Sequence, residues 1–341
     1  MAKRVVVIEG EDAAPEAVRP TVELVDRLGL DIEWSRPTIA ESRQAIDASD
    51  ATLFGATSGP SAPALFYLRW GKQTYANVRP ARWFPGARSP LAHPQGIDFV
   101  IVRENLEDLY VGAEGDLEAL RPLGLTALTT QQPIADLGPG RYALKVITSA
   151  GSERVVRFAF ALARRRRAAG RPGKVTCASK YNMLPQSDGL FRDVARRVAA
   201  DYPDIAFETF IVDDFARRLV AAPHDLDVVV LPNLYGDILS DAAAGLIGGL
   251  GLAPSGCYGD SYAYFESAHG TAPDIAGQNL INPTATILSA ALMLQHLGYA
   301  AAADRLESAV ERVYSGGRIL TPDQGGRAST TDFCAAVARE L

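Results

Sequence analysis

Cysteine is scarce in this chain of 341 residues. Its three cysteines, Cys177, Cys257 and Cys334, lie far apart and form no CxxC pair. Disulfide frameworks and zinc ribbons depend on closely spaced cysteines, so the sequence argues against both. The same scarcity favours a reducing compartment, and we expect a cytoplasmic protein.

Long apolar stretches and an excess of basic residues are also missing. The apolar run at residues 5–8 is too short for a signal-peptide core or a membrane span, and no later run is long enough to cross a bilayer. The formal net charge of -6 argues against a nucleic-acid partner. It leaves room for a small anionic ligand, because a local arginine cluster can lie inside an acidic protein.

What the sequence does contain is typical of a globular α/β protein. Hydrophobic residues make up 48% and charged residues 22%, and the length suits one or two domains. Buried strands are predicted at residues 5–8, 51–54, 97–102, 174–178 and 226–231. Helices are predicted at residues 15–28, from 151 onwards, at 237–248 and at 284–297. This alternation predicts a layered α/β fold.

Two short motifs are interpreted as lacking a ligand. Residues 138–143 match GxGxxA, but a strand is predicted at 143–148, where a dinucleotide-binding motif needs a helix. The arginine run at 164–167 ends an amphipathic helix, where cations suit the helix dipole and are solvated. We therefore expect any nucleotide to bind without the Rossmann turn.

Three arginines, Arg69, Arg79 and Arg103, are candidate ligands for a polycarboxylate. Arg103 directly follows the predicted strand at 97–102, and ligand contacts are common at the ends of buried strands. Guanidinium groups bind carboxylates through paired hydrogen bonds, so three converging arginines would suit several carboxylates. Three unrelated surface ion pairs explain the spacing equally well.

An acidic pair is a candidate metal site. Asp237 and Asp241 are four residues apart in a predicted helix, so both carboxylates lie on one helix face and repel each other unless a cation lies between them. Such oxygen ligands suit Mg²⁺ or Mn²⁺. The alternative is an acidic first turn that the helix dipole favours.

Together with a glycine-rich loop at 266–277, these segments resemble the β-decarboxylating dehydrogenases, the family of isocitrate, homoisocitrate, isopropylmalate and tartrate/D-malate dehydrogenases. The matching strings follow one another at residues 68–69, 75–80, 102–105, 110, 179–182, 212–213, 233–241, 269–277, 282–283, 321–326 and 329–330. The resemblance implies an isopropylmalate-dehydrogenase-like α/β fold with two domains and a central cleft. Residues 1–97 and 249–341 would bind the cofactor, and residues 98–248 would bind metal and substrate and form a homodimer with shared active sites.

The resemblance also implies roles for the candidate residues. Those that bind the substrate would be Leu65, Phe66, Arg69, Arg79 and Arg103. Asp237 and Asp241 would hold Mg²⁺ or Mn²⁺ together with Asp213 contributed by a partner subunit. Lys180, also from the partner, would act as general base through Asp213, and Tyr110 would return a proton after CO2 leaves.

NAD is the cofactor that the resemblance implies. The residue after the loop proline faces the adenosine ribose in this family, and here it is Asp274. A carboxylate accepts hydrogen bonds from both ribose hydroxyls and repels a 2′-phosphate, whereas NADP-dependent relatives tend to carry Lys-Tyr at the positions of Asp274 and Ile275. The residues expected in the cofactor pocket are Asn182, Glu266, His269, Gly270, Ala272, Asp274, Ile275 and Asn282.

The segment before Arg69 narrows the choice of substrate. Pro63 and Leu65 stand where isocitrate enzymes carry serine and asparagine, and Phe66 stands where some homoisocitrate enzymes carry arginine. Leu65 and Phe66 suit an isopropylmalate-like apolar arm, whereas residues 79–86 resemble tartrate/D-malate enzymes. We expect oxidative decarboxylation of a (2R)-hydroxy acid of the 3-substituted malate type to a 2-oxo acid.

Two other classes of protein stay open. The opening loop at residues 10–16 lacks two glycines of the family pattern, which leaves a non-catalytic regulatory subunit as an alternative. A metal-dependent phosphate-ester enzyme would use the same aspartates, arginines and lysine without NAD. That alternative leaves the loop around Asp274 unexplained.

Overall fold

A large mixed sheet organises the computed structural model, which describes residues 2–341. The strands are β1 (Lys3–Ile8), β2 (Ile32–Ser35), β3 (Ala51–Phe54), β4 (Ala76–Arg82), β5 (Asp98–Glu104), β6 (Glu114–Asp116), β7 (Arg141–Ala143), β8 (Lys174–Ser179), β9 (Ala206–Ile211), β10 (Val228–Leu231), β11 (Pro254–Tyr258) and β12 (Ala263–Ser267). Ten of them pair in the order β2-β1-β3-β12-β11-β4-β5-β10-β8-β9, while β6 and β7 form a separate ribbon. The pairs β12–β11, β11–β4 and β4–β5 are antiparallel, and the outer pairs are parallel.

Helices cover both faces of this sheet. They are α1 (Ala14–Asp26), α2 (Ser42–Asp47), α3 (Ala62–Phe66), α4 (Ser149–Ala168), α5 (Ser187–Ala199), α6 (Val212–Ala221), α7 (Asn233–Ile247), α8 (Thr284–His296), α9 (Ala300–Gly316) and α10 (Thr330–Glu340). Phe99 and Ile101 of β5 pack into the core shared with α1 and α6–α10, whereas Val100 and Val102 pack into the core under α4 and α5. Side chains of a strand alternate between faces, so a strand buried on both sides reads as one apolar run.

The register at the middle of the sheet places the polar residues of interest. β4 pairs with β5 from Ala76↔Glu104 to Arg82↔Asp98, and Leu231 of β10 pairs with Arg103 of β5. α7 begins two residues beyond β10. Its first turn therefore lies beside the carboxyl end of β5, where ligands of parallel α/β sheets commonly bind.

The predicted strands and helices are confirmed, with two differences. The helix predicted at 237–248 begins earlier, at Asn233, because the N–H of Leu234 is capped by Asp108, a residue distant in sequence. The strand predicted at 143–148 is wrong, since the regular strand ends at Ala143, which pairs with Glu114, the first residue of its short partner β6. Residues 138–143 thus lead into a ribbon and not into a nucleotide-binding helix.

The arginine run at the end of α4 is only partly solvated. Arg164 and Arg167 are about half exposed, whereas Arg166 is mostly buried and lies 2.6 Å from Asp227 and 3.0 Å from Asp98. The expectation of a solvated run is therefore wrong at Arg166, because the helical repeat turns this residue towards the sheet.

The expected domain boundary falls inside the sheet. β4 and β5 pair along their full lengths across it, so the backbone hydrogen bonds continue from one proposed domain to the other. The division at residues 98 and 248 stays a prediction. Among residues 2–341, no helix is both long enough and apolar enough to cross a membrane.

Candidate active site

Two of the candidate arginines meet at the carboxyl end of β5. Arg103 is buried; its Nε donates to Asn233 Oδ1 at 2.9 Å, and its Nη1 donates to Asp237 Oδ1. Arg79 approaches from β4, with its Nη1 3.4 Å from the same oxygen of Asp237. These two arginines thus share one carboxylate and do not form unrelated surface ion pairs.

The third arginine, Arg69, presents an unused hydrogen-bond donor. It lies in the π turn Tyr67–Gly71 that continues α3, and its Nε is buried without a hydrogen-bond partner. Burial raises the pKa of Glu266, and the charge of Arg69 opposes this rise. A buried donor without a partner is unfavourable unless a ligand accepts from it, so Arg69 fits a carboxylate ligand.

The two aspartates of α7 have opposite pKa shifts. Burial opposes the ionised form of Asp237, but Arg103, the hydroxyl of Tyr110 and Arg79 hold its pKa below the usual value. Burial raises the pKa of Asp241, Arg79 offsets this only in part, and the like charge of Asp237 adds to the rise. The charge of Arg79 therefore does not fully offset the effects that disfavour ionised Asp241. A cation bound between Asp237 and Asp241 would stabilise both carboxylates in their ionised form.

The two carboxylates of α7 fit part of a binding site for a divalent cation. Asp237 and Asp241 lie on one helix face, as expected, and carboxylate oxygens are the ligands that Mg²⁺ and Mn²⁺ prefer. Throughout residues 2–341, no group of three His, Cys, Asp or Glu side chains is close enough to hold a metal ion. A further acidic ligand would have to come from another chain.

Tyr110 adds a proton donor to this region. Its hydroxyl donates to Asp237 Oδ2 at 2.6 Å, and the guanidinium carbon of Arg103 lies 5.1 Å from its ring centre. Burial and the hydrogen bond to Asp237 raise the pKa of Tyr110. The phenol is therefore protonated near neutral pH, as a general acid must be.

Lys180 and Asp213 form a separate pair. Lys180 Nζ donates to Asp213 Oδ1 at 2.6 Å, and this bond lowers the pKa of Asp213. The Asp213 side chain is 68% exposed, and within the described chain neither residue forms a hydrogen bond or ion pair with Tyr110 or Asp237. The pair is thus accessible to a second chain. The family resemblance implies that Lys180 and Asp213 act in the active site of that second chain.

The loop at 266–277 is held in place by the opening segment of the chain. The N–H of Ala13 donates to Thr271 O at 3.0 Å. The Glu16 carboxylate accepts the N–H groups of Gly277 and Asn279, both at 2.6 Å. Ile275 and Ala272 of the loop pack against a small core that includes Ala13 and Ala17 of the opening segment.

The loop offers groups that fit an adenine nucleotide. His269 Nδ1 lies 2.8 Å from the carbonyl of the exposed Gly270, and Nε2 is buried without a partner. Burial lowers the pKa of His269, so the ring is neutral and Nε2 is available as an acceptor when Nδ1 carries the proton. Asp274 is exposed in the 3₁₀ turn Pro273–Ile275, where its carboxylate is open to a ribose.

Two of the expected cofactor residues are placed differently from this loop. Asn282 is buried, and its side chain donates to Asp323 at 2.9 Å and to Tyr314 at 3.2 Å and accepts the N–H of Thr284 at 3.0 Å. Both N–H groups of the amide are used in internal bonds, so only its oxygen can still accept from a ligand, and the assignment of Asn282 to the cofactor pocket stays a prediction. Asn182 is exposed and lies two residues after Lys180, and its assignment to the cofactor pocket stays a prediction.

The two residues expected near the substrate arm end α3. Phe66 is 54% exposed, and its ring centre lies 5.2 Å from that of Trp70. Leu65 is partly buried against the core formed with β1 and β3. An aromatic side chain with half its surface in water is available for contact with an apolar group.

Sequence reasoning missed three residues that support the site. Asn233 accepts a hydrogen bond from Arg103, Ser240 accepts one from Arg79 at 2.7 Å, and Glu16 holds the loop. Asn233 and Ser240 lie inside the segment 233–241 that carried the resemblance, so their position beside the aspartates was a usable signal. Glu16 alone reads as an ordinary acidic residue in a first helical turn.

Comparisons with known proteins show the family of this chain. The model of the isocitrate/isopropylmalate dehydrogenase family matches residues 5–337. A 3-isopropylmalate/3-methylmalate dehydrogenase of Methanocaldococcus jannaschii is 42% identical over 99% of this chain and 98% of its own, and an isocitrate/homoisocitrate dehydrogenase of Thermus thermophilus is 42% identical over 100% and 99%. The crystal structure of isocitrate dehydrogenase from Methylococcus capsulatus matches with a TM-score of 0.83 and 34% identity over 100% of this chain and 99% of that one. The chain belongs to the isocitrate/isopropylmalate dehydrogenase family.

This membership confirms the expected family and α/β fold. Members are decarboxylating dehydrogenases that act on CH–OH donors, depend on a metal and NAD(P), and bind small polycarboxylates. The phosphate-ester alternative is therefore wrong. Relatives named for NAD and relatives named for NADP both match, so membership leaves the choice of dinucleotide open.

Proposed function

We propose that this chain is an NAD- and divalent-metal-dependent enzyme that oxidises a (2R)-hydroxy acid of the 3-substituted malate type and removes CO2 to give a 2-oxo acid. The observation that carries the proposal is the convergence of Arg79 and Arg103 on Asp237, with Tyr110 on the other oxygen of that carboxylate. Acid-binding, metal-binding and proton-donating groups thus meet at one edge of the sheet.

The arginines bind and orient the substrate in this proposal. Arg103 is rigid because it is buried and held by Asn233, and Arg69 keeps its unpartnered donor for a substrate carboxylate. Arg79 also lies 3.2 Å from Asp241, so the two arginines face two aspartates, and a divalent cation on those aspartates would leave the arginine charges for a substrate carboxylate. A divalent cation held by Asp237 and Asp241 would supply charge stabilisation for the C2 oxygen, and NAD would supply the hydride acceptor.

Two side chains move protons. Lys180 from a partner subunit takes the hydroxyl proton, with Asp213 as relay, while the C2 hydrogen leaves as hydride. The bond between C3 and its carboxylate then breaks to release CO2, and Tyr110 donates its proton to C3. The presence of Tyr110, Lys180 and all three aspartates supports a catalytic chain over a regulatory one.

NAD rather than NADP is supported by Asp274. Its exposed carboxylate lies in a loop that Glu16 fixes through two backbone hydrogen bonds. A 2′-phosphate at contact distance from Asp274 would be repelled, and no side-chain cation is hydrogen-bonded to Asp274 among the described residues.

An apolar arm on C3 is supported by Leu65, Phe66 and Trp70. Phe66 packs edge-on against Trp70, and the nearby Lys72 is already paired with Asp47 at 2.6 Å. The name of the Methanocaldococcus relative also covers two malates with apolar arms. Tartrate or D-malate, which lack such an arm, are the alternative substrates.

The chain is also proposed to work as a cytoplasmic homodimer whose active sites lie between the cofactor part at residues 1–97 and 249–341 and the substrate part at 98–248. The segment between Tyr110 and α4 exposes several large apolar side chains, among them Leu123, Leu128 and Leu137 at 65%, 82% and 54%. So many exposed leucines in one segment are typical of a protein interface. The β6–β7 ribbon also has free edges for pairing.

The test is an assay of dinucleotide reduction and CO2 release by the purified protein. We expect turnover with NAD, Mn²⁺ and a 3-alkylmalate, weaker turnover with tartrate or D-malate, and at least tenfold lower kcat/KM with NADP. Chelation of the metal should abolish turnover, and Mn²⁺ should restore it. Metal binding without turnover on any member of the panel would favour the regulatory alternative.

A further inference from the structure

A buried lysine outside the residues discussed so far connects both parts of the proposed site. Lys145 lies between β7 and α4, and its side chain is only 15% exposed. Its Nζ lies 2.6 Å from Asp188 Oδ1, 3.5 Å from Asp108 Oδ1 and 4.4 Å from the ring centre of Tyr235. One ammonium group thus lies between two fully buried carboxylates and reduces the repulsion between them.

The first carboxylate, Asp108, supports the Tyr110 part of the site. It lies two residues before Tyr110, and its Oδ2 accepts the N–H of Leu234 in the first turn of α7 at 3.0 Å. Its φ of 70° is in the left-handed region, which a non-glycine residue keeps only when its contacts hold it there. The charge of Lys145 is one of these contacts.

The second carboxylate, Asp188, supports the Lys180 part of the site. Its Oδ2 accepts the backbone N–H of Lys180 at 2.8 Å and the hydroxyl of Tyr235 at 3.2 Å. Its Oδ1 has no partner other than the ammonium group of Lys145, so Lys145 is the group that compensates this buried oxygen. Loss of the lysine charge would release the turn that begins at Lys180.

We propose that Lys145 is a positioning residue that sets Tyr110 and Lys180 at the same time. This inference rests on the proposed function, in which Tyr110 serves the chain's own site and Lys180 serves the partner's. Because one side chain holds both segments, Lys145 couples the geometry of the two active sites of a dimer. It touches neither the substrate nor the cofactor in this role.

Substitution of Lys145 separates positioning from binding. Lys145→Met removes the charge and keeps an unbranched chain, and we expect kcat to fall by about tenfold or more while KM stays within about threefold, since Arg69 and Arg79 are untouched. Lys145→Arg restores a positive charge and should recover most of kcat. Lys145→Gln gives the same comparison if the methionine variant does not fold.

Arg166→Met is the matched control. It removes a similarly buried cation from a pair of carboxylates, Asp98 at the start of β5 and Asp227 just before β10. We expect it to lower stability and to leave kcat unchanged. A loss of kcat in both variants that follows their loss of stability would overturn the positioning role.

Hydrogen exchange provides a readout that needs no turnover. In Lys145→Met, peptides that contain the N–H groups of Lys180 and Leu234 should both exchange faster, whereas Arg166→Met should change neither. A change at only one of the two peptides, or an unchanged kcat against an active wild type, would overturn the coupling. An inactive wild type with the expected exchange pattern would overturn the proposed function and not the coupling.

Discussion

The two acid–base pairs of this chain have the same bond length and opposite surroundings. Tyr110 donates to Asp237 and Lys180 donates to Asp213, both at 2.6 Å. Asp237 is 30% exposed and bounded by Arg79 and Arg103, whereas Asp213 is 68% exposed and has Lys180 as its ion-pair partner. The first pair is enclosed by residues of its own chain, and the second is open to solvent, as the proposed homodimer requires.

Mixing of two inactive variants gives the largest effect and tests this difference directly. Tyr110→Phe and Lys180→Met should each lower kcat by about 100-fold or more, since each removes a group that moves a proton. If Lys180 acts across the interface, exchange of subunits between the two variants leaves one intact site in each mixed dimer. We therefore expect about a quarter of wild-type activity per chain to return.

The control for this experiment is a mixture of two preparations that carry the same substitution, which should stay inactive. Activity is measured as NAD reduction before and after the subunits exchange. If the mixed sample stays inactive although mass spectrometry detects mixed dimers, Lys180 and Tyr110 serve the same chain and the comparison between closed and open pairs fails.

Glu104 tests the buried surroundings of the Tyr110–Asp237 pair through the pH dependence of stability. The expected effect is of intermediate size. It follows Arg103, is 2% exposed and accepts the N–H groups of Leu106 and Glu107 at 2.9 and 2.8 Å. Burial raises its pKa to about 7 from 4.5. An acid whose pKa is higher in the folded state stabilises folding in its protonated form, so this contribution is complete below about pH 4.5 and is lost as the pH rises through 7.

The free energy of unfolding should therefore fall by about 3 kcal/mol between about pH 4.5 and pH 8 on account of Glu104. Chemical denaturation across this range measures the slope. Glu104→Gln should flatten it, because an amide does not ionise, whereas Glu118→Gln at an exposed position should not. An equal slope in wild type and Glu104→Gln would show that Glu104 is ionised throughout.

The residues of the candidate site were easier to predict from the sequence than the contacts that hold those residues in place. Arg79, Arg103 and Asp237 belong to ordered segments with family spacing, and the strands that carry them read as apolar runs, so their meeting at one sheet edge was foreseeable. The bond from Leu234 to Asp108 was not, since it joins distant parts of the chain and leaves no local pattern. Lys145 escaped notice because its neighbours Leu144 and Val146 resemble a strand.

The cofactor residues show the same limit. His269 and Asp274 were recognised within one continuous loop, and both have groups free for a ligand. Asn282 was assigned by the same motif, but its amide is occupied by Tyr314 and Asp323, which lie later in the chain. A motif identifies the residue types at a site, whereas internal bonds to distant residues decide which atoms remain available.

Phe66 gives the smallest expected effect and decides which side of the shared site meets the substrate arm. Phe66 lies on the Arg69 side and is 54% exposed, and Met183 lies near Lys180 and is 61% exposed. If the arm packs on Phe66, Phe66→Ala should lower kcat/KM for a 3-alkylmalate by about tenfold, or about 1.4 kcal/mol, and leave D-malate within about twofold, because only the alkyl group loses apolar contact. Met183→Ala is the matched change on the other side and should alter neither substrate. The reverse result would show that the substrate arm packs on the partner's surface. Equal losses for D-malate and the alkylmalate would show that Phe66 supports the shape of the site without contacting the arm.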